Sequence, residues 1–193
     1  AIVMHWLWLS VLFIGTGLAL GRSPAMLIKN MLPAYFTALG TMSSAATIPV
    51  ALQASKNNGV SDGIANFTVP LCATIHLCGS TITLVTCATA VMFLSEHLAI
   101  PGYGTMLPFI MMLGVIMIAA PGAPGGGVMS ALGLLTSMLG FGEASIALMI
   151  ALYLAQDSFG TACNVTGDGV IALWADRFAQ SEAPMAAPER DAA

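Results

Sequence analysis

Charged side chains are scarce in this chain: 5 Lys or Arg and 9 Asp or Glu occur among 193 residues, or 7%. An ordinary soluble domain carries about 25% charged residues. Hydrophobic residues make up 58% of the chain, and the mean hydropathy is +0.89. These figures exclude an ordinary soluble protein and indicate an integral membrane protein.

Clusters of basic residues are also missing, and the four cysteines lie in apolar segments rather than in loops. We therefore expect no binding to nucleic acid and no disulfide framework. No charged segment with a small-residue cleavage site accompanies the first apolar run, as it would in a signal peptide. Residues 1–21 are long and apolar enough to cross a ~30 Å hydrocarbon core, so we predict a transmembrane helix there.

Two segments contain apolar runs that are too short to span a membrane. Residues 22–58 hold two such runs joined by small residues, and residues 104–140 repeat the pattern around a tip rich in glycine and proline. Short runs of this kind are typical of re-entrant hairpins, which occur only where the tip is buried in protein or lines a cavity. We predict two re-entrant helical hairpins.

The segments between and after these hairpins are long enough to span. Residues 59–97 are predicted to form a transmembrane helix interrupted at IHLCGST (75–81), and residues 144–174 a polar-faced transmembrane helix. The order of hairpin and spanning helix occurs twice, which is typical of an inverted-repeat secondary transporter with its site at the repeat interface. Residues 175–193 are predicted to be a disordered tail.

The positions of the basic residues predict the orientation. All five flank the first hairpin or follow the last helix: Arg22, Lys29, Lys56, Arg177 and Arg190. Because basic loops stay on the cytoplasmic side, the tail is predicted to be cytoplasmic. The first hairpin would then enter from the cytoplasm and the second from outside.

One face of the last helix carries polar groups. Asp157, Thr161, Asn164 and Asp168 follow at spacings of four, three and four, which places them on one face of a helix. Carboxylates at membrane depth are costly unless a cation, a counter-charge or a proton neutralises them. A zwitterion held by Asp157 and a hard cation held by Asn164 and Asp168 would satisfy these groups. An amino acid and Na⁺ are the predicted ligands.

Other interpretations of the same residues were weighed. His76 beside two cysteines could form a soft-metal site, although a hydrogen-bonded core histidine is the simpler interpretation. A Ser–His–Asp hydrolase lacks a GxSxG elbow, so no enzyme is expected. A channel-like or structural membrane subunit without coupled transport is the alternative to a symporter.

Four segments resemble motifs of the dicarboxylate/amino acid:cation symporter family, the glutamate transporter homologues. They occur in the family's order within residues 22–177: SSAATIPVAL (43–52), FTVPLCATIHLCGST (67–81), GAPGGG (122–127) and NVTGD (164–168). The resemblance implies an all-α transport-domain half of a longer chain. That longer chain would form a homotrimer in the plasma membrane and move its transport domain like an elevator, with the second hairpin as outer gate.

The resemblance also implies residue roles, with Asp157 binding the substrate α-amino group. The substrate-binding residues would lie at the two tips and on the last helix: Ser43, Ser44, Gly122, Ala123, Pro124, Gly125, Asp157, Gly160, Thr161 and Asn164. A sodium site, formed partly by backbone carbonyls, would involve Cys72, Thr74, His76, Asn164 and Asp168.

The chain departs from the family pattern at several of these positions. Family members that carry acidic substrates place an arginine where this chain has Gly160 or Met42, so a neutral amino acid is expected rather than a dicarboxylate. HLCGS (76–80) replaces the family's NMDGT, and Ala120 replaces a threonine. The number of ions therefore does not carry over. Because histidine titrates near neutral pH, H⁺ is an alternative coupling ion to Na⁺.

Overall fold

The computed structural model describes residues 1–182, which form helices and no strand. The helices are α1 (Ile2–Leu20), α2 (Pro24–Thr41), α3 (Ser44–Asn57), α4 (Asp62–Ile75), α5 (Cys78–Leu94), α6 (Tyr103–Met117), α7 (Gly126–Leu139), α8 (Glu143–Leu154) and α9 (Asp157–Glu182). The all-helical prediction is confirmed for these residues. The outer ends of α1, of the pair α2 and α3, of the pair α4 and α5, and of the pair α6 and α7 lie within three residues of the four corresponding predicted segments.

Two helical stretches are long and apolar enough to cross a membrane. They are Ile2–Leu20 and Asp62–Leu94, the second of which contains α4 and α5. Helices α8 and α9 form a third candidate if they are counted as one span, although they meet at a bend of 57°. The composition of the described residues therefore agrees with an integral membrane protein.

Helices α2 and α3 lie antiparallel. Near one end of the pair, Nδ2 of Asn58 donates to the carbonyl oxygen of Leu27 at 3.0 Å. At the other end the hydroxyl oxygens of Thr41 and Thr47 are 3.2 Å apart. Met42 reverses the chain there with a φ of 51°, a left-handed conformation that a non-glycine residue rarely adopts. Residues 22–58 thus form a helical hairpin, and its insertion into a membrane stays a prediction.

The described residues contain two hydrophobic clusters. The first combines side chains of α1, α2, α3, α4 and α9, and the second combines side chains of α5, α6, α7 and α8. Each cluster therefore takes one hairpin segment, one half of the interrupted α4–α5 helix and one of the two final helices. The predicted site residues lie where the two clusters meet.

Two boundaries of the last predicted segments are corrected. Residues 144–174 are not one helix, because α8 ends at Leu154 and α9 begins at Asp157. The prediction of a disordered tail is wrong for residues 175–182, since α9 continues to Glu182. Asp176 explains this extension: its Oδ1 accepts a hydrogen bond from the backbone N–H of Ser61 at 3.1 Å. Residues 183–193 lie outside the described part of the chain.

Candidate functional site

A small cavity lies between the α2–α3 connection (residues 42–43, the first tip), the α6–α7 connection (residues 118–125, the second tip), the start of α5 and the start of α9. Its volume is about 10 Å³, about enough for one water molecule. Six of the predicted substrate-binding residues line it: Ser44, Gly122, Ala123, Asp157, Thr161 and Asn164. Chain segments more than 70 residues apart in sequence therefore meet here.

Asp157 connects α9 to the second tip. Its carboxylate is buried, and Oδ2 accepts a hydrogen bond from the backbone N–H of Gly125 at 2.7 Å. Gly125 has a φ of +74°, which glycine adopts without steric cost, and it precedes the first residue of α7. The carboxylate thus lies at the N-terminal end of α7, where the helix dipole favours negative charge.

The two tips are also bonded to each other. Oγ of Ser43 donates to the carbonyl oxygen of Gly122 at 2.9 Å, and the backbone N–H of Ala45 donates to the same oxygen at 3.3 Å. A Cβ atom at Gly122 would lie 2.7 Å from the carbonyl oxygen of Ala73, so only glycine fits this contact. The second tip is therefore packed against both the first tip and α4.

Asn164 holds the first turn of α5. Its Oδ1 accepts the backbone N–H of Gly79 at 2.7 Å and that of Ser80 at 3.2 Å. Its Nδ2 donates to Oγ of Ser80 at 2.9 Å. Leu77, the residue before this helix, provides no side-chain cap. Asn164 therefore caps α5 from a different helix, and its amide oxygen already accepts two hydrogen bonds.

Asp168 lies one turn further along α9 and is 1% exposed. Its Oδ1 is 2.8 Å from Nδ1 of His76, the residue that separates α4 from α5. Gly167 makes this contact possible, because a Cβ atom there would lie 2.8 Å from Cε1 of His76. The histidine, whose side chain is 20% exposed, is thus hydrogen-bonded to a buried carboxylate, in agreement with the simpler of the two interpretations above.

The predicted sodium ligands are partly engaged in the protein's own hydrogen bonds. Asp168 and Asn164 use oxygen atoms for the protein's own hydrogen bonds, and the carbonyl oxygen of Cys72 accepts the backbone N–H of His76 at 2.9 Å. Thr74 is exposed, and its hydroxyl donates to the carbonyl oxygen of Leu71 within the same helix. Oδ2 of Asp168 takes no part in the described hydrogen bonds, so one oxygen of this carboxylate stays available to a cation.

Three further predicted substrate residues lie beside the cavity rather than in its lining. Ser43 and Gly125 contact lining residues through the hydrogen bonds described above. Gly160 faces α5, where a Cβ atom would lie 2.9 Å from Oγ1 of Thr83. The described contacts give no role to Pro124.

The sequence interpretation missed lining residues that the structure shows. Tyr153 and Gly127 line the cavity, and the hydroxyl group of Tyr153 lies against the backbone of Gly127. A tyrosine four residues before Asp157 is one helical turn away, which was a usable signal. Another missed residue is His5 on α1, whose Nε2 is 3.0 Å from both the carbonyl oxygen of Gly79 and Oγ1 of Thr83.

The profile of the sodium:dicarboxylate symporter family matches residues 1–178. The chain belongs to this family. Excitatory amino acid transporter 1 of Rattus norvegicus is 32% identical over 151 residues, which are 77% of this chain and 27% of that transporter. Excitatory amino acid transporter 5 of Homo sapiens is 30% identical over 152 residues, 78% of this chain and 27% of that transporter.

A third relative matches a similar share of this chain. The excitatory amino acid transporter of Caenorhabditis elegans is 29% identical over 154 residues, 77% of this chain and 29% of that transporter. The chain thus spans between a quarter and a third of the length of these relatives. The family is described as sodium:dicarboxylate symporters, and these relatives are named as excitatory amino acid transporters.

Proposed function

We propose that this chain is the C-terminal part of a secondary active symporter that couples uptake of a neutral amino acid to downhill movement of a cation. The observation that carries the proposal is the position of Asp157, which is buried in the cavity between the two tips. An intramembrane carboxylate is a functional-site residue by default, because its burial is costly. The α-ammonium group of an amino acid is its proposed partner.

Two helix N-termini supply the proposed site for the α-carboxylate. Helix α3 begins at Ser44 after the Ser43 cap, and α7 begins at Gly126 after Gly125. Backbone N–H groups and the positive ends of both helix dipoles therefore lie near the cavity, which is a favourable setting for an anion. Asp157 and the two tips together complement a zwitterion.

The lining supports a neutral side chain on the substrate. Among the described residues that line the cavity there is no lysine, arginine or histidine, and Met42 and Gly160 replace the arginines of acidic-substrate members. A second carboxylate would lack a charge-assisted partner and would lie near Asp157. A dicarboxylate is therefore the less favoured substrate.

Transport requires the tips to separate, because a cavity of about 10 Å³ does not admit an amino acid. The proposal includes two re-entrant hairpins that enter from opposite sides, and the two hydrophobic clusters support an inverted repeat. It also includes a homotrimer in the plasma membrane and a cytoplasmic chain end. Na⁺ is the proposed coupling ion, and H⁺ is the alternative.

Uptake by the full-length protein in liposomes tests the proposal. We expect concentrative uptake of neutral amino acids under a Na⁺ gradient alone, with loss of uptake when the gradient collapses. Asp157→Asn is expected to lower uptake about 10- to 100-fold, as for loss of a hydrogen-bonded charge. The matched control is Asp62→Asn, because the Asp62 side chain is 81% exposed.

Three results would contradict parts of this proposal. Uptake that stops at equal concentrations, independent of any gradient, would indicate a channel-like protein. Preferential uptake of aspartate, glutamate or succinate would contradict the neutral substrate. Uptake driven by a proton gradient but not by a Na⁺ gradient would replace Na⁺ by H⁺ as the coupled ion.

A further inference from the structure

Tyr153 places a buried hydroxyl group beside Asp157 and Ser80 in the cavity lining. The residue lies in the last turn of α8 and is 0% exposed. Among the described residues its hydroxyl oxygen has no hydrogen-bond partner. A buried polar group without a partner costs free energy, and most such groups in proteins are paired. The hydroxyl group is therefore available to hydrogen-bond a group that enters the cavity it lines.

The surroundings of Tyr153 direct this hydroxyl group to the cavity. The aromatic ring belongs to the second hydrophobic cluster, which holds it in place. Tyr153 lines the cavity together with Asp157, Thr161 and Ser80. Any Cβ atom at position 127 would collide with the hydroxyl oxygen, so Gly127 provides the space that this group occupies.

The two charged groups of a bound amino acid already have proposed partners. Asp157 is assigned to the α-ammonium group, and the N-termini of α3 and α7 to the α-carboxylate. A phenol hydroxyl can both donate and accept a hydrogen bond and carries no charge at neutral pH. It is thus suited to a neutral, hydrogen-bonding group on the substrate side chain.

We propose that the hydroxyl group of Tyr153 is a specificity-determining ligand that favours amino acids with a hydroxyl or carboxamide side chain over those with a purely apolar one. This inference rests on the proposed function and names its substrate class more narrowly. A site that hydrogen-bonds a substrate hydroxyl disfavours the analogue that lacks it, because the site's own polar group then stays unpaired.

Tyr153→Phe tests the inference because it removes only the hydroxyl oxygen. The full-length protein would be assayed for uptake of labelled serine, asparagine and alanine. We expect kcat/KM for serine and asparagine to fall about 5- to 10-fold, the effect of one lost hydrogen bond, while kcat/KM for alanine changes less than about 2-fold. Tyr35→Phe is the control, since Tyr35 is a mostly buried tyrosine outside the cavity lining.

Thermal unfolding provides a second measurement that does not depend on transport. Serine is expected to stabilise the wild type more than alanine does, and this difference is expected to vanish in Tyr153→Phe. The unfolding temperature of each protein without substrate is the baseline from which the stabilisation by serine and by alanine is measured.

The outcomes separate this inference from the proposed function. Equal losses for serine and alanine in Tyr153→Phe, or no change for either, would overturn the specificity role while leaving the symporter intact. A wild-type protein that concentrates no neutral amino acid would overturn the proposed function and this inference with it.

Discussion

The Nδ1 atom of His76 lies 2.8 Å from the Oδ1 atom of Asp168, at the position where the family resemblance implies a sodium ion. Asp168 is 1% exposed, so its carboxylate needs a partner within the protein or a bound cation. The imidazole group supplies that partner from the break between α4 and α5. Asp157 lines the cavity, whereas Asp168, the other carboxylate on the polar face of α9, does not.

Replacing His76 by asparagine should make the protein depend on a cation at Asp168. The change leaves the buried carboxylate without its partner, which costs about 3 kcal/mol. We expect earlier thermal unfolding of the full-length protein in KCl and a larger recovery in NaCl than the wild type shows. His97→Asn is the control, because His97 is exposed. If Na⁺ stabilises the wild type, His76→Asn and His97→Asn equally, the imidazole group of His76 does not replace a cation as the partner of Asp168.

Replacing Met42 by arginine should extend the substrate range to acidic amino acids. Met42 lines the cavity and is already in the left-handed conformation, so the backbone cost is similar for both residues. A guanidinium group would give a substrate carboxylate a charge-assisted partner worth about 1.5–3 kcal/mol. Competition by aspartate against labelled neutral substrate is expected to improve about 10- to 100-fold. Met42→Gln, which adds polarity without charge, should leave competition near the wild-type level.

Gly79 lies against Gly160, whereas Gly15 has open space around it, so alanine substitutions at Gly79 and Gly15 should have different effects on stability. A Cβ atom at Gly79 would overlap the carbonyl oxygen of Gly160 and lie 2.6 Å from Cβ of Cys163. We expect Gly79→Ala to destabilise the protein by about 1–3 kcal/mol, as overpacking does. At Gly15 an added Cβ meets nothing within 4 Å, and alanine is the better helix former. Gly15→Ala should be neutral or stabilising in denaturation experiments, and equal effects would contradict close packing of α5 on α9.

Asp176 is expected to stabilise α4 through its oxygen rather than its charge. Oδ1 accepts hydrogen bonds from both the backbone N–H and the hydroxyl of Ser61, which precedes α4. Asp176→Ala should lower stability by about 1–2 kcal/mol, as for loss of a helix cap, and speed amide exchange in the first turn of α4. Asp176→Asn keeps the Oδ1 acceptor and should recover most of the loss. Equal losses in both variants would assign the effect to charge.

Local patterns in the sequence predicted most helices and the polar face. Run lengths and tip residues located α2 with α3 and α6 with α7, and the spacing from Asp157 to Asp168 placed four polar groups on one side of α9. The bend between α8 and α9 had no comparable signal, because residues 154–157 contain neither glycine nor proline. Polarity alone suggested a disordered tail, whereas the contact of Asp176 with Ser61 is tertiary and joins residues 115 positions apart.

Tertiary packing also decided the partners of the site residues. From the sequence, Asn164 and His76 were predicted to lie near a cation. The sequence did not indicate that Asn164 caps α5 or that His76 is hydrogen-bonded to Asp168. These contacts depend on how α5 lies against α9, which in turn depends on the paired glycines. Spacing along one helix cannot report such an arrangement.

The carbonyl oxygen of Gly122 accepts two donors from the start of α3, the hydroxyl of Ser43 and the amide of Ala45. Since a carbonyl oxygen has two lone pairs, this acceptor is fully used. Withdrawal of the second tip would strip both donors of their acceptor in one movement. In the proposed symporter, a substrate carboxylate at this place would offer these donors replacement oxygens, so that opening without substrate would be disfavoured.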